Sequence, residues 1–140
     1  MFNDFIPENP GKPYLNASNQ SIMQIKSHTV NNFQMAEILS DETLIQTAED
    51  GLDLLGNVYY QGFDRMIVYS KNITPGFFDL KNGMAGEILQ KFSNYRMRLA
   101  IVGDFSAYTS KSIADFIFES NKGKQVNFLN SLEEALERLY

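Results

Sequence analysis

One stretch of the sequence, FFDLKNGMAGEILQKF at residues 77–92, places an acid, a base and an Asn-Gly pair before an amphipathic segment. The apolar residues after the pair recur at helical spacing and predict a helix that begins near Asn82; they are Met84, Ala85, Ile88, Leu89, Phe92 and Tyr95. A helix amino terminus presents free N–H groups and a positive dipole end. Together with Lys81, this entrance suits a small anionic ligand or the carboxylate of a protein partner.

A second group of polar residues, Asp104, Ser106 and Tyr108, follows the apolar run LAIVG at 99–103. In a sheet of parallel strands, ligands bind beyond the carboxyl ends of the strands, so both groups are expected at the same edge. The candidate ligand-binding residues are therefore Asp79, Lys81, Asn82, Gly83, Glu87, Asp104 and Ser106.

A structural interpretation of the same residues stays open. Asp79 or Asn82 then caps the helix, Lys81 is solvated, and Asp104 closes a turn. Gly83 and Gly86 fall in the first turns of the predicted helix, where glycine costs about 1 kcal/mol relative to alanine. Packing against a neighbouring element, or close approach of a ligand or partner, would explain them.

Other catalytic and metal-binding chemistry has little support. The chain has no cysteine and one histidine, His28, which we interpret as a solvated strand residue, so no metal site and no cofactor are expected. Phosphate-binding and dinucleotide glycine motifs and a nucleophile elbow are missing from the sequence. A carboxylate and lysine set at Asp79, Lys81 and Asp104 leaves a small enzyme as the alternative to a binding module.

Composition limits the class of partner. The 140 residues carry a formal net charge of −5 with a pI near 4.8, which argues against nucleic acid, whose phosphates need a basic face. The sequence shows no signal peptide and no apolar run of the ~20 residues that a membrane helix needs, so we expect no membrane and a cytoplasmic location.

The elements that must position these residues alternate along the chain. Residues 1–20 predict a flexible amino-terminal arm, and residues 21–140 a single domain. Two β-patterned runs flank Asn31-Asn32, a pair that favours a two-residue hairpin turn. Ser40 is then expected to cap a helix with the apolar stripe Leu44, Ile45, Ala48, Leu52, Leu55 and Tyr59.

The remaining elements are the buried strands RMIVY and LAIVG, a helix capped by Ser110, the strand VNFL and a last helix with a Ser131–Glu134 capping box. Gly123 is expected to end the Ser110 helix in the left-handed conformation. The predicted order is β-β-α-β-α-β-α-β-α, an α/β fold with a mixed, mostly parallel sheet flanked by helices. Phe116 and Phe118 point to different helix faces, so one should be exposed, which favours a homo-oligomer or partner surface.

This order resembles that of the anti-sigma-factor antagonist (STAS) domain. Phe78, Asp79, Gly83, Met84 and Gly86 are similar to the landmarks of the segment that follows the third STAS strand, and "SLEEALERL" resembles the final STAS helix. The resemblance implies a switch or docking module. The hydroxyl that follows the aspartate in phosphorylated STAS domains is replaced here by Leu80 and Lys81, so the phosphorylation switch is not expected.

A closer resemblance covers about residues 22–140. "FFDLKNGMAGEILQKF", "LAIVGDFS" and "FIFESNKG" are similar to a family of small bacterial proteins known as a domain of unknown function. That resemblance implies no activity. The sequence therefore predicts a non-catalytic binding or regulatory module that recognises a protein partner or small anionic ligand at residues 79–87.

Overall fold

The computed structural model describes residues 14–15 and 21–140, which form a six-stranded sheet and four α-helices. The strands are β1 (Tyr14–Leu15), β2 (Ser21–Val30), β3 (Phe33–Leu39), β4 (Arg65–Tyr69), β5 (Arg98–Val102) and β6 (Val126–Leu129). The helices are α1 (Ala48–Tyr60), α2 (Met84–Asn94), α3 (Lys111–Lys122) and α4 (Leu132–Leu139). Apart from residues 14 and 15, the predicted amino-terminal arm lies outside the described residues.

The strands are ordered in the sheet as they are in the chain. β1, β2 and β3 pair antiparallel, and β3 to β6 pair parallel. The crossovers between sequential parallel strands place α1, α2 and α3 on one face, and α4 packs on the other. The predicted α/β order is confirmed, with the short β1 added before it.

The β2–β3 hairpin is the two-residue turn that the sequence predicts. Asn31 and Asn32 have φ of 51° and 69°, as a type I′ turn requires, and Val30 pairs with Phe33 across it. This register puts each side chain of β2 on the same face as its partner in β3, with successive pairs on alternate faces.

Each face of the sheet packs against its helices through its own apolar core. The larger core joins strand residues such as Ile38, Met66 and Ile101 to Leu55 of α1 and Ile88 of α2. The smaller core, under α4, consists of Met35, Ile67, Ala100, Val102, Leu129, Ala135 and Leu139. The parallel strands are buried on both faces, which explains their nearly continuous apolar sequences.

Helix α1 begins later than the sequence predicts. Thr47, not Ser40, is its N-cap, in a capping box with Asp50, and the Ser40 hydroxyl instead accepts a hydrogen bond from the backbone N–H of Glu42. Leu44 and Ile45 therefore lie in a loop, where Ile45 forms an isolated bridge with Ile73. The prediction was wrong because an apolar spacing that continues into a loop resembles an extra helical turn.

Asn72 holds that loop in place. Its fully buried side chain donates hydrogen bonds to the carbonyls of Ser40 (2.9 Å) and Glu42 (2.8 Å), and the backbone carbonyl of Asn72 accepts from the N–H of Leu44. These two bonds satisfy backbone carbonyls of Ser40 and Glu42 that the predicted helix would have paired within itself.

Two predicted helix ends need correction or refinement. Gly123 ends α3 in an extended conformation (φ −96°, ψ −169°), so the expected left-handed cap is wrong. At α4 the Ser131 hydroxyl accepts from the Glu134 N–H as predicted, but the Glu134 carboxylate accepts from the N–H of Asn130.

Helix α3 protects the outer edge of β6. The Asn121 side chain accepts from the backbone N–H of Phe128 (2.7 Å) and donates to its carbonyl (3.0 Å). Unpaired strand edges invite association with other strands, and this side chain blocks one. On the same helix Phe118 is 63% exposed while Phe116 packs against the core, which confirms that one of the two is exposed.

Candidate functional site

The predicted entrance lies at the carboxyl edge of the sheet, after β4, and is built from short turns rather than from α2 alone. Two 3-10 turns, Pro75–Phe78 and Leu80–Asn82, precede α2, whose N-cap is Gly83. Gly83 has φ of 80°, which explains this glycine by backbone conformation rather than by packing.

Asn82 organises the entrance through both ends of its amide. Its Nδ2 donates to the carbonyl of Gly76 (2.8 Å), and its Oδ1 accepts from the N–H of Met84 (2.8 Å). The structural interpretation is thus confirmed for Asn82, which satisfies one of the free N–H groups at the start of α2.

The charged residues of the entrance are exposed. Asp79, Lys81 and Glu87 make no side-chain hydrogen bond or ion pair with any residue that the structure describes, so Asp79 is not the cap. Gly86 is also exposed, and a Cβ added there would have no neighbour within 4 Å, so packing does not explain this glycine.

Aromatic packing joins the entrance to the second predicted group. The buried ring of Phe78 stacks on Tyr108, with centroids 4.3 Å apart and planes inclined by 24°, and lies 5.9 Å from Phe105. The ring of Phe128 on β6 contacts the rings of both Phe78 and Phe105. This cluster fixes the 103–108 turn against the entrance, as the sheet-edge argument predicts.

Within that turn, Asp104 and Ser106 bind each other. The N–H of Ser106 donates to Asp104 Oδ1 (3.0 Å), and hydrogen bonds from the Ser106 side chain and backbone lower the pKa of Asp104. Among the described residues, no hydrogen bond or ion pair joins either residue to Asp79 or Lys81. Asp104 therefore acts as a turn-closing carboxylate that stays ionised.

Gly103 is required by a close contact at the same edge. A Cβ at Gly103 would lie 2.2 Å from Ser70 Oγ, so no larger residue fits without movement. Ser70 follows β4 and Gly103 follows β5, and their contact closes the space between these strand ends. Among the described strands, the order does not reverse in the parallel part of the sheet, so these strands form no topological switch point of the kind at which doubly wound folds bind ligands.

A buried polar cluster that the sequence does not predict lies on the face of the sheet that α4 covers. Glu37 of β3, 4% exposed, accepts hydrogen bonds from His28 Nε2 of β2 (2.7 Å) and from the Tyr69 hydroxyl of β4 (2.5 Å). Burial, and then the bond and charge of Glu37, raise the pKa of Tyr69 to about 12. The interpretation of His28 as a solvated residue is wrong, since only 17% of its side chain is exposed. Strand alternation places His28 and Glu37 on one face, but only the register shows that they meet.

No group of three or more histidine, aspartate or glutamate side chains is arranged to hold a metal ion in residues 21–140. In the described part of the chain, no helix has the length and apolarity needed to cross a membrane.

The described residues thus form an α/β domain with an exposed polar entrance at the carboxyl edge of a mostly parallel sheet. Residues 30–139 match a family model described as "Domain of unknown function (DUF4180)", and the chain belongs to this family. The chain matches none of the curated proteins and none of the solved structures with which it was compared.

Proposed function

We propose that this domain is a non-catalytic binding or regulatory module that recognises a protein partner or small anionic ligand at residues 79–87. The supporting observation is that Asp79, Lys81 and Glu87 present exposed side chains, without partners among the described residues, on a frame of hydrogen-bonded turns. Asn82 and the Phe78–Tyr108 stack hold that frame before any ligand arrives, and preorganisation lowers the cost of binding.

The expected contacts follow from this frame. Lys81 supplies the positive charge that attracts an anion. Gly86 has no side chain above its backbone, so its N–H, in the first turn of α2, is accessible to a carboxylate or phosphate oxygen. Asp79 and Glu87 flank the position and favour a ligand that also carries a donor or a positive group.

We also propose that the domain is a STAS-like module of the cytoplasm. The observed element order agrees with the STAS order, and the entrance follows the strand that the resemblance indicates. Lys81 provides a fixed positive charge near the place where a phosphorylated STAS domain gains a negative one. We therefore expect recognition that does not depend on phosphorylation of this segment.

The alternative of a small enzyme gains no support from the geometry. Asp79, Lys81 and Asp104 are all exposed, whereas catalytic carboxylates and lysines are usually tuned by burial. A general acid or base needs a position shielded from water around a bound substrate, and the described side chains at this edge form an open surface.

Native mass spectrometry of the gently purified protein tests the proposal. We expect a retained small mass or a bound partner chain that is lost in Lys81→Glu and kept in Lys111→Glu. The control makes the same charge change at an exposed lysine at the start of α3, whose ion pair with Asp115 is solvent-exposed. Equal retention by folded Lys81→Glu and wild-type protein would exclude the 79–87 entrance as the site.

A further inference from the structure

The opposite end of the sheet, the amino edge, collects basic residues. It consists of residues 31–33, 59–65, 94–98, 121–125 and 138–140, where the parallel strands begin and the helices end. These segments contain all four arginines of the chain, Lys122 and Lys124, and Asp64 is their one acidic residue. The amino edge is therefore positive on a chain whose formal net charge is −5.

Backbone carbonyls, rather than carboxylates, hold most of these arginines. Arg98 donates to the carbonyls of Lys124 (2.8 Å), Arg138 (3.0 Å) and Leu139 (3.1 Å), and Arg65 also donates to Leu139. Carbonyls at helix ends orient a guanidinium without cancelling its full charge.

The positive charges are close enough to affect one another. Burial, followed by the charges of Arg65 and Arg138, lowers the pKa of Arg98. Among the described residues, Asp64 is the only acidic side chain in an ion pair with any arginine, at 2.7 Å from Arg65. Lys122 pairs with Glu119, while Arg96 and Lys124 are exposed and form no ion pair within the described part of the chain.

Exposed aromatic side chains lie at the same edge. Tyr59 (55% exposed) and Tyr95 (51% exposed) end α1 and α2 and meet with their ring centroids 6.3 Å apart. Phe33, 42% exposed, lies under the Arg65 guanidinium at 4.1 Å, and Tyr140 is also exposed. Tyrosine and arginine are enriched in the residues that dominate binding energy at protein interfaces.

Arg96 adds an independent observation. It follows the C-cap of α2 with φ of 55°, and the bonds from Met97 N–H to the Phe92 carbonyl and from Arg96 N–H to the Ser93 carbonyl form a Schellman motif. Glycine is the usual residue there, because a side chain disfavours this conformation. The α2 carboxyl end thus presents an exposed arginine at a position that favours glycine, beside the exposed Tyr95.

We propose that the amino edge is a docking surface for an acidic protein segment that also carries an aromatic or aliphatic anchor. Carboxylates of the segment would pair with Arg96 and Lys124, and its anchor would pack against Tyr59 and Tyr95. This surface goes beyond the function proposed above, since it lies at the other end of the sheet and uses arginines and exposed tyrosines rather than Lys81 and the start of α2.

Charge selects this occupant over two others. A long nucleic acid would be repelled by the rest of a chain of net charge −5, whereas a short acidic segment meets only the positive edge. A second copy of the chain would bring a second positive edge to any symmetric contact, and like charges placed together oppose it.

Selection from a displayed library of random dodecapeptides on the full-length protein tests the proposal. We expect enriched peptides rich in Asp and Glu with at least one Phe, Tyr, Trp or Leu. Their Kd should rise at least tenfold in Arg96→Glu/Lys124→Glu, and rise with salt, because both contacts are electrostatic. Lys71→Glu/Lys111→Glu, the matched charge change at the carboxyl edge, should bind as the wild-type protein does.

Each other outcome overturns the proposal. Failure to enrich peptides, enrichment of neutral or basic peptides, or equal binding by a folded Arg96→Glu/Lys124→Glu variant would do so. Binding of a 20-nucleotide oligo(dT) that is lost in this variant would assign the edge to nucleic acid. A concentration-dependent dimer in light scattering that the variant abolishes would assign it to self-association. An acidic peptide held at Lys81 would bind the Arg96→Glu/Lys124→Glu variant as it binds the wild-type protein, so the failure of one proposal is distinguishable from the failure of the other.

Discussion

Removing the Tyr69 hydroxyl tests the unexpected polar cluster. In the wild-type protein this hydroxyl donates to Glu37 Oε2 at 2.5 Å, while His28 occupies Oε1 at 2.7 Å. Tyr69→Phe keeps the ring and its packing. It leaves one oxygen of a carboxylate that is 4% exposed without its protein donor.

The expected cost follows from the chemistry of that bond. Hydrogen bonds to charged groups contribute about 1.5–3 kcal/mol, and a buried acceptor left without a donor costs a similar amount. Tyr69 is itself half-buried, so water can partly replace its hydroxyl. We therefore expect Tyr69→Phe to lower the free energy of unfolding at pH 7 by about 1.5–2 kcal/mol.

The effect should also depend on pH. The pKa of Tyr69 is raised to about 12 from its ordinary value of 10.0, so the folded state keeps a proton that the unfolded state loses earlier. The contribution is complete below about pH 10 and disappears as pH rises through about 12. The difference between the two proteins should therefore shrink across this range.

Urea unfolding followed by circular dichroism, at pH 7 and in steps up to pH 11, measures both effects. Tyr108→Phe is the matched control, since its hydroxyl has no hydrogen-bond partner among the described residues and its ring stack with Phe78 would remain. We expect the control to change stability by less than about 0.5 kcal/mol. Equal stability of the two variants would refute the reasoning. So would a phenolate absorbance difference between wild-type protein and Tyr69→Phe that gives Tyr69 a pKa near 10.

Three further predictions concern backbone and edge positions. Gly86→Ala should raise the free energy of unfolding by about 0.5–1 kcal/mol in urea, while Gly83→Ala, at φ of 80°, should lower it by about 1 kcal/mol; the reverse order would contradict the assigned start of α2. Arg96→Gly should raise the melting temperature through a gain of about 1 kcal/mol, and no gain in calorimetry would mean that its positive φ carries no strain. Asn121→Ala should lower the free energy of unfolding by about 1–3 kcal/mol and increase light scattering on storage, because it leaves the backbone N–H and carbonyl of Phe128 unpaired at the edge of β6. An unchanged, monodisperse variant would show that this edge needs no protection.

Much of the fold could be predicted because its signals are local. Alternation with period 2, stripes at helical spacing and the Asn31-Asn32 pair depend only on neighbours in the chain, and they predicted the observed order of elements from β2 to α4. The start of α1 could not be predicted in this way. It depends on Asn72, some thirty residues further along the chain, which binds the carbonyls of Ser40 and Glu42.

The candidate entrance was predicted in part. Its position at the carboxyl edge and its contact with the 103–108 turn followed from the alternation of strands and helices. The division of roles within it did not, because whether Asn82 or Asp79 satisfies a backbone N–H depends on the exact path of the preceding turns. Nor does the sequence distinguish the two glycines. Glycine is required at Gly83 by its positive φ, whereas a Cβ added at Gly86 would meet no neighbour within 4 Å.

The sequence alone determined which residues are apolar, where the chain turns and in what order the elements come. The tertiary structure decided which charges share a surface. Arginines 65, 96, 98 and 138 are spread over more than seventy residues, yet they meet at one edge because parallel strands begin, and their connecting helices end, on the same side of the sheet. Strand register likewise joined His28, Glu37 and Tyr69. Both results come from pairing between distant segments, which no local pattern of residue types contains.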